Sequence, residues 1–451
     1  MDYVNPLGVE KIHKLLVRFS LPAIVGMTVN SLYNVVDRIF IGNSPDLGAD
    51  GLAGITVAFP LMILLLSVGI LFGLGGATIF SIRLGEGRQE AAEHALGNAF
   101  TLLAASGVLF LLLGQAFVRP LLAAFGAGGT VLPHAVAYMR VVLFGAVFQM
   151  GSIGLNNFIR ADGNPKIAMQ TMFLGAGTNI LLDPVFIFGL RMGMAGAALA
   201  TVLAQGLSYA WVVSYFLGKR SRSKLRLRHL RPEPGLVGRI AVLGLPESSL
   251  QVANSLLNAI LNKSLFVYGG AVAVSAMGIV NSLQMLLLLP VIGLRQGLQP
   301  IVSFNFGAGK HLRVKQAVRL GLAAATGMVA AGYIVTRIFP EQLVGLFNRE
   351  PELLHFGARA IRAWLLLMPV VGVQIVGASF FQATGRYRSA LFLTLTRQLL
   401  LLVPALLVFP RLWGLEGLLH AAPFADFFSF ALTAVWLHFG LQGLGKGATK
   451  E

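Results

Sequence analysis

The chain has no cysteine, which excludes disulfides and thiolate-bound metal and leaves its redox compartment open. Charge is also scarce: 12% of the 451 residues are charged, about half the roughly 25% of a soluble domain. Acidic groups are scarcer still, with 18 Asp and Glu against 35 Lys and Arg. Hydrophobic residues fill the deficit, at 56% of the chain and a mean hydropathy of +0.76. This composition describes an integral membrane protein. The net charge of +17 raises the question of nucleic acid. Most of the cations, however, fall between apolar runs on what would be one face of a membrane, and that is the positive-inside rule rather than a nucleic-acid footprint.

Enzyme signatures are missing too. Gly307-Ala308-Gly309-Lys310 imitates the end of a P-loop, but Phe304 stands where glycine is required and His311 where Ser or Thr is required. There is no HExxH, and Gly151-Ser152-Ile153-Gly154 lacks the flanks of a nucleophile elbow. Neither ATP hydrolysis nor another enzymatic activity is expected, and no cofactor.

What is present is apolar length. Segments at about 16–41, 52–82, 91–117, 134–158, 166–189 and 195–217 are followed by a second set at about 239–267, 273–304, 315–338, 355–381, 388–410 and 416–440. Each holds the roughly 20 residues that cross a bilayer as helix. The expectation is an all-α membrane protein of twelve transmembrane helices. Its divisions are a six-helix bundle over 1–217, a basic cytoplasmic linker over 218–238 and a second bundle over 239–451. The linker stretch from Gly218 to Gly235 carries seven Lys or Arg and His229; it reads as a topology-fixing connection, with lipid headgroups as its functional alternative.

The halves repeat each other. Pro22 and the phrase Asn30-Ser31-Leu32-Tyr33-Asn34 return 224 positions later as Pro246 and Asn254-Ser255-Leu256-Leu257-Asn258. Gly85-Glu86-Gly87-Arg88 returns as Gly307-Ala308-Gly309-Lys310, Ala161-Asp162-Gly163 as Ala383-Thr384-Gly385, and Gly193 to Gly196 as Gly414 to Gly417, at shifts of 222, 222 and 221. Four matches in register indicate a tandem duplication. An even span number makes the repeats parallel. Loops with Arg83, Arg88, Arg160, Lys166, Lys310 and the tail with Lys446 and Lys450 alternate with cation-poor loops, the first of which holds Asp46 and Asp50. Both termini are therefore placed in the cytoplasm, and the opening residues run into the first span without a cleavable signal.

Polar groups inside these spans are the site candidates. Asn30, Asn34 and Asp37 lie at i, i+4 and i+7 on one helical face. A carboxylate at bilayer depth costs about 2.5–3.5 kcal/mol on the insertion scale, so it should face a partner or cavity. Asn179 precedes Asp183 by one turn on the fifth span, and Thr201, Gln205 and Ser208 form a face on the sixth. Carboxylate, amide and hydroxyl oxygens suit a hard cation such as sodium; crowded carboxyls equally suit a shared proton. Interhelical glue is the bland alternative. On the seventh span Glu247, Gln251, Asn254, Asn258 and Asn262 make a longer stripe, which Asn281, Gln284 and Met285 on the eighth and Gln374 on the tenth are expected to extend as a substrate-lining wall, with Met285 and Phe158 as adaptable apolar contacts. Arg295 and Arg397 look deeper than the other helical cations, near Asp426 and Lys263. Pro22 and Pro246 each leave a carbonyl unpaired and allow a hinge.

Taken together, the two six-span halves, the repeated proline and NSLxN phrase, the cytoplasmic Gly-x-Gly-basic turns and the aspartate late in span one resemble the multidrug and toxic compound extrusion (MATE) family, prokaryotic branch, within the superfamily that includes lipid and polysaccharide flippases. The resemblance implies two bundles around a V-shaped central cavity that opens alternately to either side. It implies export of amphiphilic or cationic compounds in exchange for H+ or Na+, from the inner membrane of a prokaryote, by a monomer in contact with lipids and not nucleic acid. It also implies a coupling site at Asp37, Asn179, Asp183 and Thr201, where Na+ would bind, with Tyr138 nearby. An exporter or flippase of a lipid-linked or anionic substrate is the alternative, favoured by the cations of the second half.

Overall fold

The computed structural model describes residues 5–44 and 47–445; Asp46, Lys446 and Lys450, used above for topology, lie outside them. Among the described residues there is helix and no strand, as expected where a bilayer offers backbone groups no partner outside their own segment. Ile12–Gly42, Gly48–Gly85, Gln89–Ala124, Gly193–Leu217 and His311–Ile338 form the first, second, third, sixth and ninth spans. The fifth, Pro165–Pro184, continues as a π-helix over Val185–Gly189.

The remaining segments are bent or broken. Val131–Phe144 meets Ala146–Ala161 at 57° in the fourth span, and Pro351–Trp364 meets Met368–Ala383 at 47° in the tenth. The 74-residue helix Pro234–Gly307 would be about 110 Å long if straight, at about 1.5 Å per residue, and it is interrupted at Gly270. Tyr387–Gln442 is likewise interrupted at Trp413 and Gly414, and it contains a π-helix over Thr396–Leu402. Among the described residues eight helices are long and apolar enough to cross a membrane, or ten with the two bent pairs. Dividing the two interrupted helices yields twelve segments.

The duplication is written in the backbone. Gly48 and Gly270, Gly87 and Gly309, Gly163 and Gly385, and Gly193 and Gly414 all have positive φ, from 44° to 97°, at shifts of 222, 222, 222 and 221. Left-handed backbone disfavours any residue with a Cβ, so these turns explain why the repeated phrases retained glycine.

The chain condenses into two compact units, and their borders differ from the division drawn at 217 and 239. One unit contains Val25–Ser248; the other contains Val9–Ile24 and the chain from Ser249 onward. The first span thus begins in the second unit, and the seventh begins in the first. Close contacts hold both exchanges. A Cβ on Gly75 would stand 2.0 Å from the Ile240 carbonyl oxygen, and one on Gly297 would stand 2.6 Å from the Ser20 backbone nitrogen. These two glycines are 222 residues apart, so within each unit a helix backbone passes at the same repeat position, where only a bare backbone fits. The helix stays continuous through Pro22; Pro22 and Pro246 each lie two residues before a border.

The linker is docked rather than loose. The Asn98 amide donates to the carbonyls of His229 and Arg231 (3.3 and 3.4 Å), Thr101 Oγ1 to that of Leu230 (2.7 Å), and the Glu233 backbone N–H donates to Asn98 Oδ1 (2.8 Å). Asp162 holds the other end: Tyr215 and Ser221 donate to its Oδ2 at 2.6 and 2.9 Å, and Ser223 to its Oδ1 at 3.1 Å. Burial pushes the Asp162 carboxyl pKa upward against the pull of those hydroxyls.

Candidate functional site: a buried acidic cluster in the first unit

Four-residue spacing places Asn179 and Asp183 on one face of the fifth span, and both are buried. The helix widens into its π-turn directly after Pro184, which has no N–H to continue the regular ladder. Asn179 Nδ2 donates to Asp183 Oδ1 at 3.3 Å and lies 3.4 Å from Thr201 Oγ1 of the sixth span. Thr201 in turn donates to the Ala197 carbonyl at 3.1 Å. From the first span, Asp37 brings its carboxyl within hydrogen-bonding reach of Asp183. Tyr138 of the fourth span, 2% exposed, hydrogen-bonds Thr201, and Tyr33 packs beside Asp37.

The electrostatic character follows from what these oxygens lack. Asp37 Oδ1, Asn179 Oδ1 and Asp183 Oδ2 are buried without a hydrogen-bond partner, and an unmet buried acceptor costs about 1–3 kcal/mol. Arg38, the next residue after Asp37, acts on it electrostatically but is itself exposed. Oxygen donors left open in one place fit a hard cation or a proton shared by two carboxyls.

Asp37, Asn179, Asp183, Thr201 and Tyr138 are therefore brought together, and other candidates are not. Asn30 and Asn34 remain exposed, the Asn34 amide donating to the Asn30 carbonyl. Ser208 spends its hydroxyl on the Thr171 carbonyl, while Gln205 Oε1 is buried and unpartnered.

In the second unit the proposed wall divides into separate contacts. Asn254 Oδ1 accepts from Gln398 at 2.8 Å, the exposed Asn258 donates to the Asn254 carbonyl at 3.0 Å, and Gln284 Oε1 accepts from Trp364 at 3.0 Å. Gln251 is half-buried and Met285 is 62% exposed. Glu247 falls in the first unit, whereas the rest of its stripe falls in the second. Phe158, expected as a ligand contact, is fully buried against Phe80 with ring centroids 5.4 Å apart, so it is a core residue. Asp426 is bound by Arg397 at 2.5 Å, and Gln374 donates to the Asp426 carbonyl at 2.8 Å; Lys263 is exposed.

Sequence reasoning missed Tyr33, Gln398 and Trp364. Tyr33 left a trace, since the repeated phrase carries Leu257 at its equivalent position. Gln398 and Trp364 left none.

A duplicated, multi-span helical membrane protein with a buried acidic cluster is the class that fold and site define. The MatE family model matches residues 22–185 and 249–407, and the chain belongs to that family. It is 25% identical over 417 residues to the multidrug export protein MepA of Staphylococcus haemolyticus, covering 92% of this chain and 91% of that one. Its fold is similar to the MATE multidrug transporter DinF-BH, at 36% identity and a TM-score of 0.89 with 97% of both chains covered. It is also similar to a MOP superfamily transporter from Pyrococcus furiosus, at 25% identity, a TM-score of 0.91 and 98% coverage of both chains.

Proposed function

We propose that this protein is a secondary active antiporter that exports amphiphilic or cationic organic compounds in exchange for H+ or Na+. The observation that carries the proposal is the group of buried, partnerless oxygens of Asp37, Asn179 and Asp183, an acceptor-rich site that gains most from a cation or a proton. The MepA proteins, described as multidrug export proteins, and DinF-BH, described as a multidrug transporter, support the substrate class. In this reading the site alternates between cation-loaded and vacant states. Ion and substrate favour opposite orientations of the carrier, which is what couples the two flows. The carrier sits as a monomer in the cytoplasmic membrane of a prokaryote with both termini inside.

A second reading, export or flipping of a lipid-linked or anionic amphiphile, rests on Arg295, half-buried on the eighth span. The Pyrococcus furiosus relative, for which a reverse polarity of the binding pocket is described, lends it some support.

The deciding experiment is ethidium efflux from sealed vesicles under an imposed pH or sodium gradient, comparing wild type with Asp37→Asn. Gradient-driven efflux that disappears in the variant supports the antiporter and identifies its ion. Folded protein that moves no ethidium under either gradient favours the anionic reading, and efflux indifferent to the substitution removes Asp37 from the coupling site.

A further inference from the structure

Where the linker meets the start of the third span, groups of metal-ligating type converge on one point. Glu90 and His94 are one turn apart on the third span, and His229 comes from the linker 135 residues later. Their candidate donor atoms all lie within 4.8 Å of one another. The rings of His94 and His229 face each other with centroids 4.2 Å apart. None of these residues belongs to the acidic cluster described above.

Two details point to a cation. His94 Nδ1 meets Glu233 Oε1 at 2.7 Å. A carboxylate accepts there, so the proton sits on Nδ1 and the lone pair is left on Nε2, in the carboxylate–histidine arrangement that orients metal-bound imidazoles. The His229 side chain is completely buried; its Nε2 accepts from Arg228 Nε at 2.9 Å, so the proton sits on Nδ1, which faces Glu93 Oε2 at 3.8 Å, and Nε2 is the nitrogen with a lone pair for a cation. The same guanidinium donates through Nη2 to Glu90 Oε1 at 2.8 Å. Two prospective ligands thus already converge on one positive charge. The Arg228 side chain is 59% exposed, so it is free to swing into solvent.

We propose that Glu90, His94 and His229 form a binding site for a divalent transition cation of the Zn2+ type, with Glu233 orienting His94 and Arg228 acting as the internal cation that a metal displaces. Two imidazoles and a carboxylate suit Zn2+, which takes nitrogen and oxygen ligands and completes four-coordination with water. Because the ligands come from two segments distant in sequence, the ion fastens the linker onto the third span. Binding to the folded form alone also stabilises it.

The test is calorimetric titration of the full-length protein, free of any histidine tag and purified in detergent micelles, with Zn2+ as the probe and Mg2+ as control. The expected result is one Zn2+ per chain and no response to Mg2+. Affinity should weaken at least tenfold in His94→Gln and in His229→Ala. It should tighten several-fold in Arg228→Ala, where the competing guanidinium is gone, and that gain should vanish in the Arg228→Ala/His94→Gln double variant. Because His229 is buried its variant is checked by gel filtration; should it aggregate, half-exposed His94 decides alone. Co2+ substituted for Zn2+ gives an independent readout through its visible absorption. Absence of saturable Zn2+ binding, or stoichiometry and affinity unchanged in His94→Gln, overturns the proposal.

Discussion

In the first unit two carboxyl groups, Asp37 and Asp183, meet beside an amide and a hydroxyl, and three oxygens are left without donors. In the second, the buried carboxyl of Asp426 is joined to Arg397 at 2.5 Å; the Gln398 amide donates to Asn254 Oδ1, and the acceptors left open there, Gln398 Oε1 and Gln374 Oε1, are neutral amide oxygens. Both clusters involve a π-helix: Arg397 and Gln398 lie within Thr396–Leu402, and Asp183 lies just before Val185–Gly189. A pair that carries its own counter-charge has little to gain from an ion. Two like groups with open lone pairs have a great deal to gain. Duplication of a helical scaffold therefore supplied two buried carboxyl clusters, and one arginine gives the second a counter-charge that the two carboxyls of the first lack.

The sharpest way to break this comparison is to open the closed pair. Arg397→Leu leaves Asp426 as an unpaired buried charge and should cost about 3–5 kcal/mol, read as a large fall in thermal unfolding temperature in detergent. The Arg397→Leu/Asp426→Leu double variant should regain most of that loss, since a well-packed apolar pair replaces a buried ion pair at little cost. If the single variant is as stable as wild type, the pair is not the closed unit described.

The opposite behaviour is expected in the first unit. Asp183→Asn removes one of two like groups, so unfolding temperature should hold or rise while gradient-driven efflux falls at least tenfold, about 1.4 kcal/mol or more. Loss of stability together with transport would instead make Asp183 a structural residue.

The turn after the fourth span and its repeat equivalent sharpen the comparison away from the membrane sites. Asp162→Ala forfeits three hydroxyl donors on the linker and its neighbour and should destabilise by about 2 kcal/mol, given about 1 kcal/mol for a typical hydrogen bond and more for a charged acceptor. Thr384→Ala, whose hydroxyl bonds only carbonyls of its own helix, should cost well under that. The pH dependence has a definite sign. Burial raises the folded-state pKa of Asp162, so the folded form holds its proton after the unfolded form has released it. Stability should therefore decline as pH rises from the ordinary carboxylate range to that higher value, and Asp162→Asn should flatten the decline.

The smallest effect should come from Asn254→Ala, which strips Gln398 Nε2 of its acceptor for about 1 kcal/mol. Transport by that variant should stay within about twofold of wild type; a larger loss would mean the second unit's amides take part in substrate handling.

How far the sequence could be read depended on the range of the signal. Asn179 and Asp183 are one helical turn apart, and the Asp37 face follows from the same periodicity, so both were visible as stripes. That Asp37 meets Asp183 across two helices, or that Asp426 pairs with Arg397 and not with Lys263, has no counterpart in periodicity, because contacts between helices depend on rotation and depth of packing. The exchange of leading helices was hidden for the same reason. Gly75 and Gly297 are ordinary glycines in sequence, and only the folded structure shows that another helix's backbone passes over each.

Composition alone required a membrane, since 56% hydrophobic residues with 12% charge cannot cover a soluble surface. The repeated glycine phrases alone required a duplication, since left-handed turns tolerate little else. Tertiary structure decided which buried charges are answered and which stand open, because desolvation and Coulomb energy act over a few ångströms in space, whatever the separation along the chain.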